Sequence, residues 1–286
     1  MSEDIESGRT LLTIQSYQGS MTKTEKVVAS YVKEHAQEII YLSVTELAER
    51  ANVGEATVLR LCRKMHFSGF QDFKLSLAQD LAKSNVNLYE KVTANDNATT
   101  LIQKVTNSHV RIAEETRNLL NAEKLEQAIQ ILVSSEKIHF YGVGSSGLTA
   151  LQAAHSFSRI GKESEAKQDT HFQAVSASLL SRKDVAVGFS VSGSTKDTND
   201  NLKIAREMGA KVICITHNAR SPITKLSDVE LLMAAWENPL RGSSLSAKIS
   251  QLAVVDLLCI AVFVRMKETA IEFRNKTAQA VSEKLY

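Results

Sequence analysis

The sequence predicts two units of different architecture: an all-α unit of short helices, followed by an α/β unit with an open parallel sheet flanked by helices. Three observations carry this. Apolar residues recur at helical spacing from Thr22 to about Lys83, a polar stretch rich in asparagine follows from Ser84 to Thr100, and beyond Leu101 strand-like and helix-like segments alternate. The length of 286 residues, with 43% hydrophobic and 23% charged residues and only two prolines, fits one or two folded domains and speaks against disorder or a fibrous repeat.

The first unit opens with Val27, Val28, Tyr31, Val32, His35 and Ala36, spaced as on a helix. Ser43-Val-Thr-Glu46 follows, a hydroxyl three residues ahead of an acid, which is the pattern of a capping box and predicts a helix start. Short helices are expected over Val44 to Ala51 and Glu55 to Lys64, with Asn52-Val53-Gly54 as the turn between them. A further amphipathic helix passes through Phe70, Phe73, Leu77 and Leu81. Asn85, Asn87, Asn95 and Asn97 then interrupt any apolar face, so residues 1–83 read as one domain, 84–105 as a linker and 106–286 as a second domain.

Two short helices around a tight turn can set the second of them in the major groove of DNA. At about 100° per residue, that helix turns Val58, Leu61, Cys62 and Met65 inward and Ala56, Arg60 and Arg63 outward, with Leu59 and Lys64 at the flanks. An arginine can give two hydrogen bonds to guanine O6 and N7, and a small neighbour permits close approach. The formal net charge of +2 is too small to mark a nucleic-acid binder by its total. Locally the balance differs, because residues 59–75 hold Arg60, Arg63, Lys64 and Lys74 against Asp72 alone. Lys74, with Ser68, Gln71 and His66, is expected to meet phosphate oxygens, contacts that position a protein without reading sequence. A helical bundle with a solvated basic face fits the same pattern.

In the second unit a helical stretch from Leu101 to Leu132 leads into strands expected at Lys137 to Tyr141, Asp184 to Phe189, Lys211 to Thr216 and Val229 to Met233. Helices are expected near Leu148 to Ile160, Phe172 to Leu180 and Asp197 to Met208. Ser246 to Val264 reads as a long helix, apolar nearly all round, that needs burial against the sheet or a partner subunit. Lys267 to Tyr286 reads as a charged helical extension.

Two loops lie between an expected strand and an expected helix. Gly142-Val-Gly-Ser-Ser-Gly147 matches the GxGxxG pattern of dinucleotide-binding folds, with Glu163 and Glu165 near the distance of a ribose-binding acid. Phe189-Ser-Val-Ser-Gly-Ser-Thr195 tells against that reading, because two hydroxyl-rich loops at strand ends can converge on one compact anion. A phosphate monoester fits. The hydroxyls of Ser190, Ser192, Ser194 and Thr195 and the N–H groups of Gly193 and Ser194 can donate to it, and the helix N-terminus adds a favourable field. Capping accounts for one hydroxyl per helix, which leaves several of these four without that explanation.

Other chemistries find less support. Cys62, Cys214 and Cys259 lie in apolar surroundings and form no CxxC pair, so neither a disulfide framework nor a zinc knuckle is expected. His109, His139 and His155 make no recognised metal site with an acid or cysteine, and no metal or cofactor is expected. Aldose–ketose isomerisation needs a base over the sugar; His171, His217 and Glu237 are the candidates, and the sequence does not place them there. Glu237 and Arg241 lie one helical turn apart, but Pro239 between them makes a shared face doubtful. Trp236 can cover a ligand or fill an interface. Leu252 to Val264, the longest mostly apolar stretch, contains Asp256 and is short for a bilayer, while Glu3, Asp4 and Glu6 stand where an export signal would be basic. A cytoplasmic protein without a membrane segment is expected.

Leu42-Ser-Val-Thr-Glu-Leu-Ala48, Glu55-Ala-Thr-Val-Leu-Arg-Leu-Cys-Arg-Lys64 and Phe67-Ser-Gly-Phe-Gln-Asp-Phe-Lys74 precede Gly142-Val-Gly-Ser-Ser-Gly147, Ser190-Val-Ser-Gly-Ser-Thr195, Ile215-Thr216 and Ser221-Pro222. In this order they resemble the RpiR/MurR family of bacterial transcriptional regulators over most of the chain. The resemblance implies a winged helix-turn-helix domain joined to a SIS domain, the sugar-phosphate isomerase fold. It implies a regulator of carbohydrate metabolism, not an enzyme, that binds operator duplex DNA as a homodimer or homotetramer and changes affinity when a small phosphosugar fills the SIS domain. The ligand-binding residues would be Ser146, Ser190, Ser192, Gly193, Ser194 and Thr195. The DNA-binding residues would be Ala56, Thr57, Arg60, Arg63, Lys64 and Lys74. Gly54 departs from the family, which often has serine there; glycine caps nearly as well but lacks a hydroxyl for a phosphate. A SIS-type isomerase and a dinucleotide-binding protein are the alternatives.

Overall fold

The computed structural model describes residues 9–82, 92–235 and 245–282, which fall into two compact units, residues 9–105 and residues 106–235 with 245–282. In the first, α1 (Arg9–Tyr17) runs through a 3-10 turn into α2 (Lys23–Glu34), the short α3 (Ala36–Ile39), α4 (Val44–Arg50), α5 (Glu55–Lys64) and α6 (Phe70–Ala82). The expected capping box closes at α4: Ser43 Oγ accepts from the Glu46 N–H at 3.1 Å, and the Glu46 carboxylate accepts from the Ser43 N–H at 2.8 Å. Thr22 and Glu25 form a second one at α2.

The ends of α4 and α5 share one device. Asn52 (φ 51°) and His66 (φ 65°) are left-handed. The N–H groups of Val53 and Phe67 return to the carbonyls of Ala48 at 2.8 Å and Cys62 at 3.0 Å, the Schellman closure that turns a chain sharply out of a helix. Leu47, Val58, Leu61, Cys62, Phe73 and Leu77 meet in the core of this unit. The unit is all-α as expected, but no strand occurs among its described residues, so the wing implied by the resemblance is not part of them.

The expected linker at 84–105 is corrected in its second half, where α7 (Ala98–Leu119) begins. Asn97, read as a breaker, accepts from the Thr100 N–H at 2.9 Å and caps the helix instead. Residues 84–91 of that stretch lie outside the described residues.

The second unit contains α8 (Ala122–Ser134), β1 (Lys137–Tyr141), α9 (Ser145–Arg159), β2 (Glu163–Ala166), α10 (Thr170–Ser178), β3 (Val185–Phe189), α11 (Lys196–Glu207), β4 (Lys211–Thr216), α12 (Pro222–Leu226), β5 (Val229–Leu232), α13 (Leu245–Met266) and α14 (Glu268–Ser282). All strand pairs are parallel, in the order β2-β1-β3-β4-β5. Alternate residues serve opposite faces of the sheet. Val185, Val187, Phe189, Ile213 and Ile215 join α8, α9 and α13, whereas Ala186, Val212 and Cys214 join Ala177, Leu202 and Ala205. A parallel sheet needs both faces covered in this way. The four expected strands are present, and β2 is an addition: Glu163-Ser-Glu-Ala166 lies at the sheet edge, half exposed, and so lacks the apolar signature of the inner strands.

Helix α13 spans 22 residues, about 33 Å at 1.5 Å per residue. It extends beyond Leu252 to Val264 and is long and apolar enough to cross a bilayer by length and composition alone, a test that the core helix of a soluble protein also passes. One of its faces, through Val254, Val255, Leu258 and Val262, belongs to the core of the sheet unit. On the other, Leu257, Ile260 and Val264 are exposed.

Candidate functional site

Helix α5 presents Ala56, Arg60 and Arg63 to solvent and buries Val58, Leu61, Cys62 and Met65, as expected. Gly54 caps it in an extended conformation without a side-chain bond, and a Cβ there would meet nothing within 4 Å. One expected DNA contact, Lys74, is corrected, and two others, Lys64 and Thr57, are engaged within the helical unit. Lys74 is buried; its ammonium donates to the Leu42 carbonyl at 2.9 Å and lies 5.6 Å from the Phe70 ring centroid, so it holds the chain entering α4 and not a phosphate. Lys64 donates to the Glu25 carboxylate at 2.6 Å and to the Ser20 carbonyl at 3.0 Å. Thr57 is buried and accepts from Arg60 at 3.3 Å.

Glu25 belongs to the capping box of α2, which explains why Lys64 is drawn to it. Burial raises its proton affinity, but the Lys64 ammonium and the Thr22 N–H outweigh that and hold the carboxyl below the ordinary glutamate range. Ser68 is also engaged, donating through its N–H to Asp72 at 2.8 Å, while His66 and Gln71 remain exposed. The four cations of the local charge argument therefore reduce to Arg60 and Arg63.

In the second unit β1 and β3 are neighbours, with Tyr141 opposite Gly188, so the loops 142–147 and 190–195 leave the same end of the sheet side by side. Strand order reverses there, β2 lying on one side of β1 and β3 to β5 on the other. In open α/β sheets such a switch point opens a crevice in which ligands bind. Gly144 (φ 60°, ψ −129°) admits the chain into α9, and a Cβ on Gly142 would lie 2.7 Å from the Ser146 carbonyl oxygen. Ser146, buried in the first turn of α9, accepts from Gln251 Nε2 at 2.9 Å.

On the second loop the buried Ser190 shares a hydrogen bond with the Thr195 hydroxyl at 2.9 Å. Thr195 is the N-cap of α11, yet its side chain makes no capping bond. Ser192 Oγ accepts from the Ser194 N–H at 3.2 Å, and the Ser194 hydroxyl donates to the Ser192 carbonyl at 3.4 Å. Gly193 is corrected as a donor: its N–H closes a turn onto the Ser190 carbonyl at 3.1 Å. Its contribution is steric. At φ 67° a Cβ would lie 2.1 Å from Ser221 Oγ. The Ser194 N–H is likewise engaged within the loop, so the hydroxyls of Ser146, Ser190, Ser192 and Thr195 stand beside the first N–H groups of α9 and α11, which a helix leaves without internal partners.

Two amides escaped sequence reasoning. Gln251 bonds both Ser146 and Thr149 from within the apolar α13. Gln173 donates to the carbonyls of Gly142 at 3.0 Å and Lys167 at 2.8 Å and accepts from Asn201 at 2.9 Å, tying the first loop to α11. Polar residues in Ile249-Ser-Gln-Leu252 were the visible signal, but nothing local named their partners. Glu163 and Glu165, the acids of the dinucleotide reading, lie on edge strand β2 near Lys137 at 3.4 Å and Lys167 at 3.1 Å. Of the isomerase candidates, His171 is exposed near the start of α10 and His217 Nδ1 bonds the Met233 carbonyl at 3.0 Å. Trp236, Glu237, Pro239 and Arg241 lie outside the described residues.

A helix-turn-helix reader and an α/β unit with hydroxyl-lined loops at its switch point, carried on one chain, define a ligand-responsive DNA-binding regulator. Residues 8–84 match the helix-turn-helix domain of the rpiR family and residues 131–261 the SIS domain. An uncharacterized HTH-type transcriptional regulator of Haemophilus influenzae is 36% identical over 281 residues, 97% of this chain and 98% of its own length. The chain belongs to the RpiR family of helix-turn-helix transcriptional regulators. A structure of the Vibrio vulnificus NanR protein complexed with ManNAc-6P is 29% identical, with a TM-score of 0.85 over 97% of this chain and 99% of that one. The sugar isomerase domain of an RpiR transcription factor from Sphaerobacter thermophilus, 24% identical with a TM-score of 0.56, covers 62% of this chain and 97% of that chain and shares the fold.

Proposed function

We propose that a small phosphosugar binds at the loops 142–147 and 190–195 and that its binding changes the affinity of the chain for operator DNA. The observation that carries this is the pair of hydroxyl-rich loops at the β1/β3 switch point, where Thr195 bonds Ser190 instead of capping its own helix. The ManNAc-6P held by the NanR relative supports a sugar phosphate as the class. Residues 1–83 form the reading domain and 106–286 the sensing domain in this reading, with Ala56, Arg60 and Arg63 toward the bases. The regulator acts in the cytoplasm on genes of carbohydrate metabolism, as a homo-oligomer, and releases the sugar unchanged.

An effector switches DNA binding only if it binds the two DNA-affinity states unequally. The test is a calorimetric panel of hexose, pentose, amino-sugar and N-acetylamino-sugar phosphates, ManNAc-6P among them, followed by DNA titration and a product assay with each binder. Binding with altered DNA affinity and no product is the expected result. Turnover of the sugar would establish an isomerase, and NAD binding without phosphosugar binding a dinucleotide protein.

A further inference from the structure

We propose that Gln251 is a positioning residue that makes the Ser146 hydroxyl a donor to the bound phosphate; the inference rests on the reading that a phosphate occupies the two loops. A serine hydroxyl has one proton, and at an anion it serves only when that proton points at the ligand. Gln251 Nε2 lies 2.9 Å from Ser146 Oγ, and Gln251 Oε1 lies 2.9 Å from Thr149 Oγ1. An amide NH2 group donates and does not accept. In this arrangement Ser146 therefore accepts from Gln251 and keeps its own proton for another acceptor, while the Thr149 hydroxyl, which also lies 3.4 Å from the Ser145 carbonyl oxygen, donates to Oε1.

All three side chains are buried, at 7%, 2% and 1% exposure for Ser146, Thr149 and Gln251, so their polar atoms find most of their partners within the protein. Turning the amide by half a revolution makes Oε1 accept the Ser146 proton and leaves none for a ligand. A phosphate at the loop selects the first arrangement over the second, because only there does Ser146 give it a charge-assisted bond. A glutamate at 251 has no such choice. When ionised it accepts only, and it holds the Ser146 proton away from the anion.

The test uses the full chain and calorimetric titration with ManNAc-6P and with inorganic phosphate. The variants are Ser146→Ala, Gln251→Met, Gln251→Glu and the double variant Ser146→Ala/Gln251→Met. Ser146→Ala and Gln251→Met are each expected to weaken binding about tenfold, the scale of one hydrogen bond to a charged group. The double variant is expected to bind no more weakly than Ser146→Ala, since Gln251 acts through that hydroxyl. The deficit of Gln251→Glu relative to wild type is expected to shrink as pH falls and the new carboxyl regains a proton to donate, a response that a packing defect would not show.

Additive losses in the double variant, or wild-type affinity in Gln251→Met, overturn the role of Gln251 and leave the phosphate reading standing, provided Ser146→Ala binds weakly. If Gln251→Met does not fold, a pH-independent deficit in Gln251→Glu overturns it instead. Failure of wild type to bind either probe, or undiminished binding by Ser146→Ala, overturns the phosphate reading on which the inference rests.

Discussion

Arg60 and Lys74 carry the same charge, yet only Arg60 stays on the exposed face of α5 while Lys74 is spent inside the helical unit on the Leu42 carbonyl. Arg60→Ala is expected to reduce discrimination between operator and unrelated duplex by about 1–3 kcal/mol, measured as the ratio of the two dissociation constants at one salt concentration. Lys74→Ala should instead lower the unfolding temperature, because it strips a buried carbonyl of its partner. A salt dependence of DNA binding reduced by about one ion, without loss of stability, would return Lys74 to the phosphate backbone. Gly193 makes a second residue-scale case. Gly193→Ala is expected to cost about 2 kcal/mol in thermal unfolding, since φ 67° is strained for alanine and the new methyl would meet Ser221. Loss of phosphosugar binding should accompany it.

At the scale of elements, α2 and α5 are joined through Glu25 and Lys64, and the sign of the pH effect follows from the direction of the shift. The Glu25 carboxyl is held below the ordinary glutamate value, so its contribution is complete above the unfolded pKa, about 4.3, and is lost as pH falls through the lower folded value. Acid unfolding of wild type should show a steeper loss of stability across that window than Glu25→Gln, with the two curves converging at the acid end. Helix α13 divides its apolar surface between the core and an exposed row of Leu257, Ile260 and Val264. If that row is the homo-oligomer contact, Ile260→Asp should lower the sedimenting mass of the full chain at micromolar concentration and leave its unfolding temperature nearly unchanged. An unaltered mass would place the contact elsewhere. The helix itself was legible in the sequence because its composition is predominantly apolar. The division into an inner and an outer face was not, since both look alike until the sheet claims one of them.

For the molecule as a whole, the coupling between sensing and reading must be reciprocal. A phosphosugar that changes operator affinity by some factor must have its own affinity changed by the same factor when the chain is saturated with operator DNA. Titrations in both orders check this, and unequal factors would mean that another equilibrium, such as subunit association, enters the cycle. What the sequence by itself determined was local: the capping box at Ser43, the turn at Asn52, the four apolar strands β1, β3, β4 and β5 and the two hydroxyl-rich loops, each of which rests on neighbours a few residues apart. Tertiary structure decided which polar groups are left for function. Lys64 reaches Glu25, Lys74 reaches Leu42, and Gln251 reaches Ser146 across separations of 39, 32 and 105 residues. It also decided that the polar segment Glu163–Ala166 pairs as an edge strand. The physical reason is that periodicity and capping are properties of short-range geometry, whereas the partner of a buried charge or amide is whichever group the folded chain brings within hydrogen-bond reach.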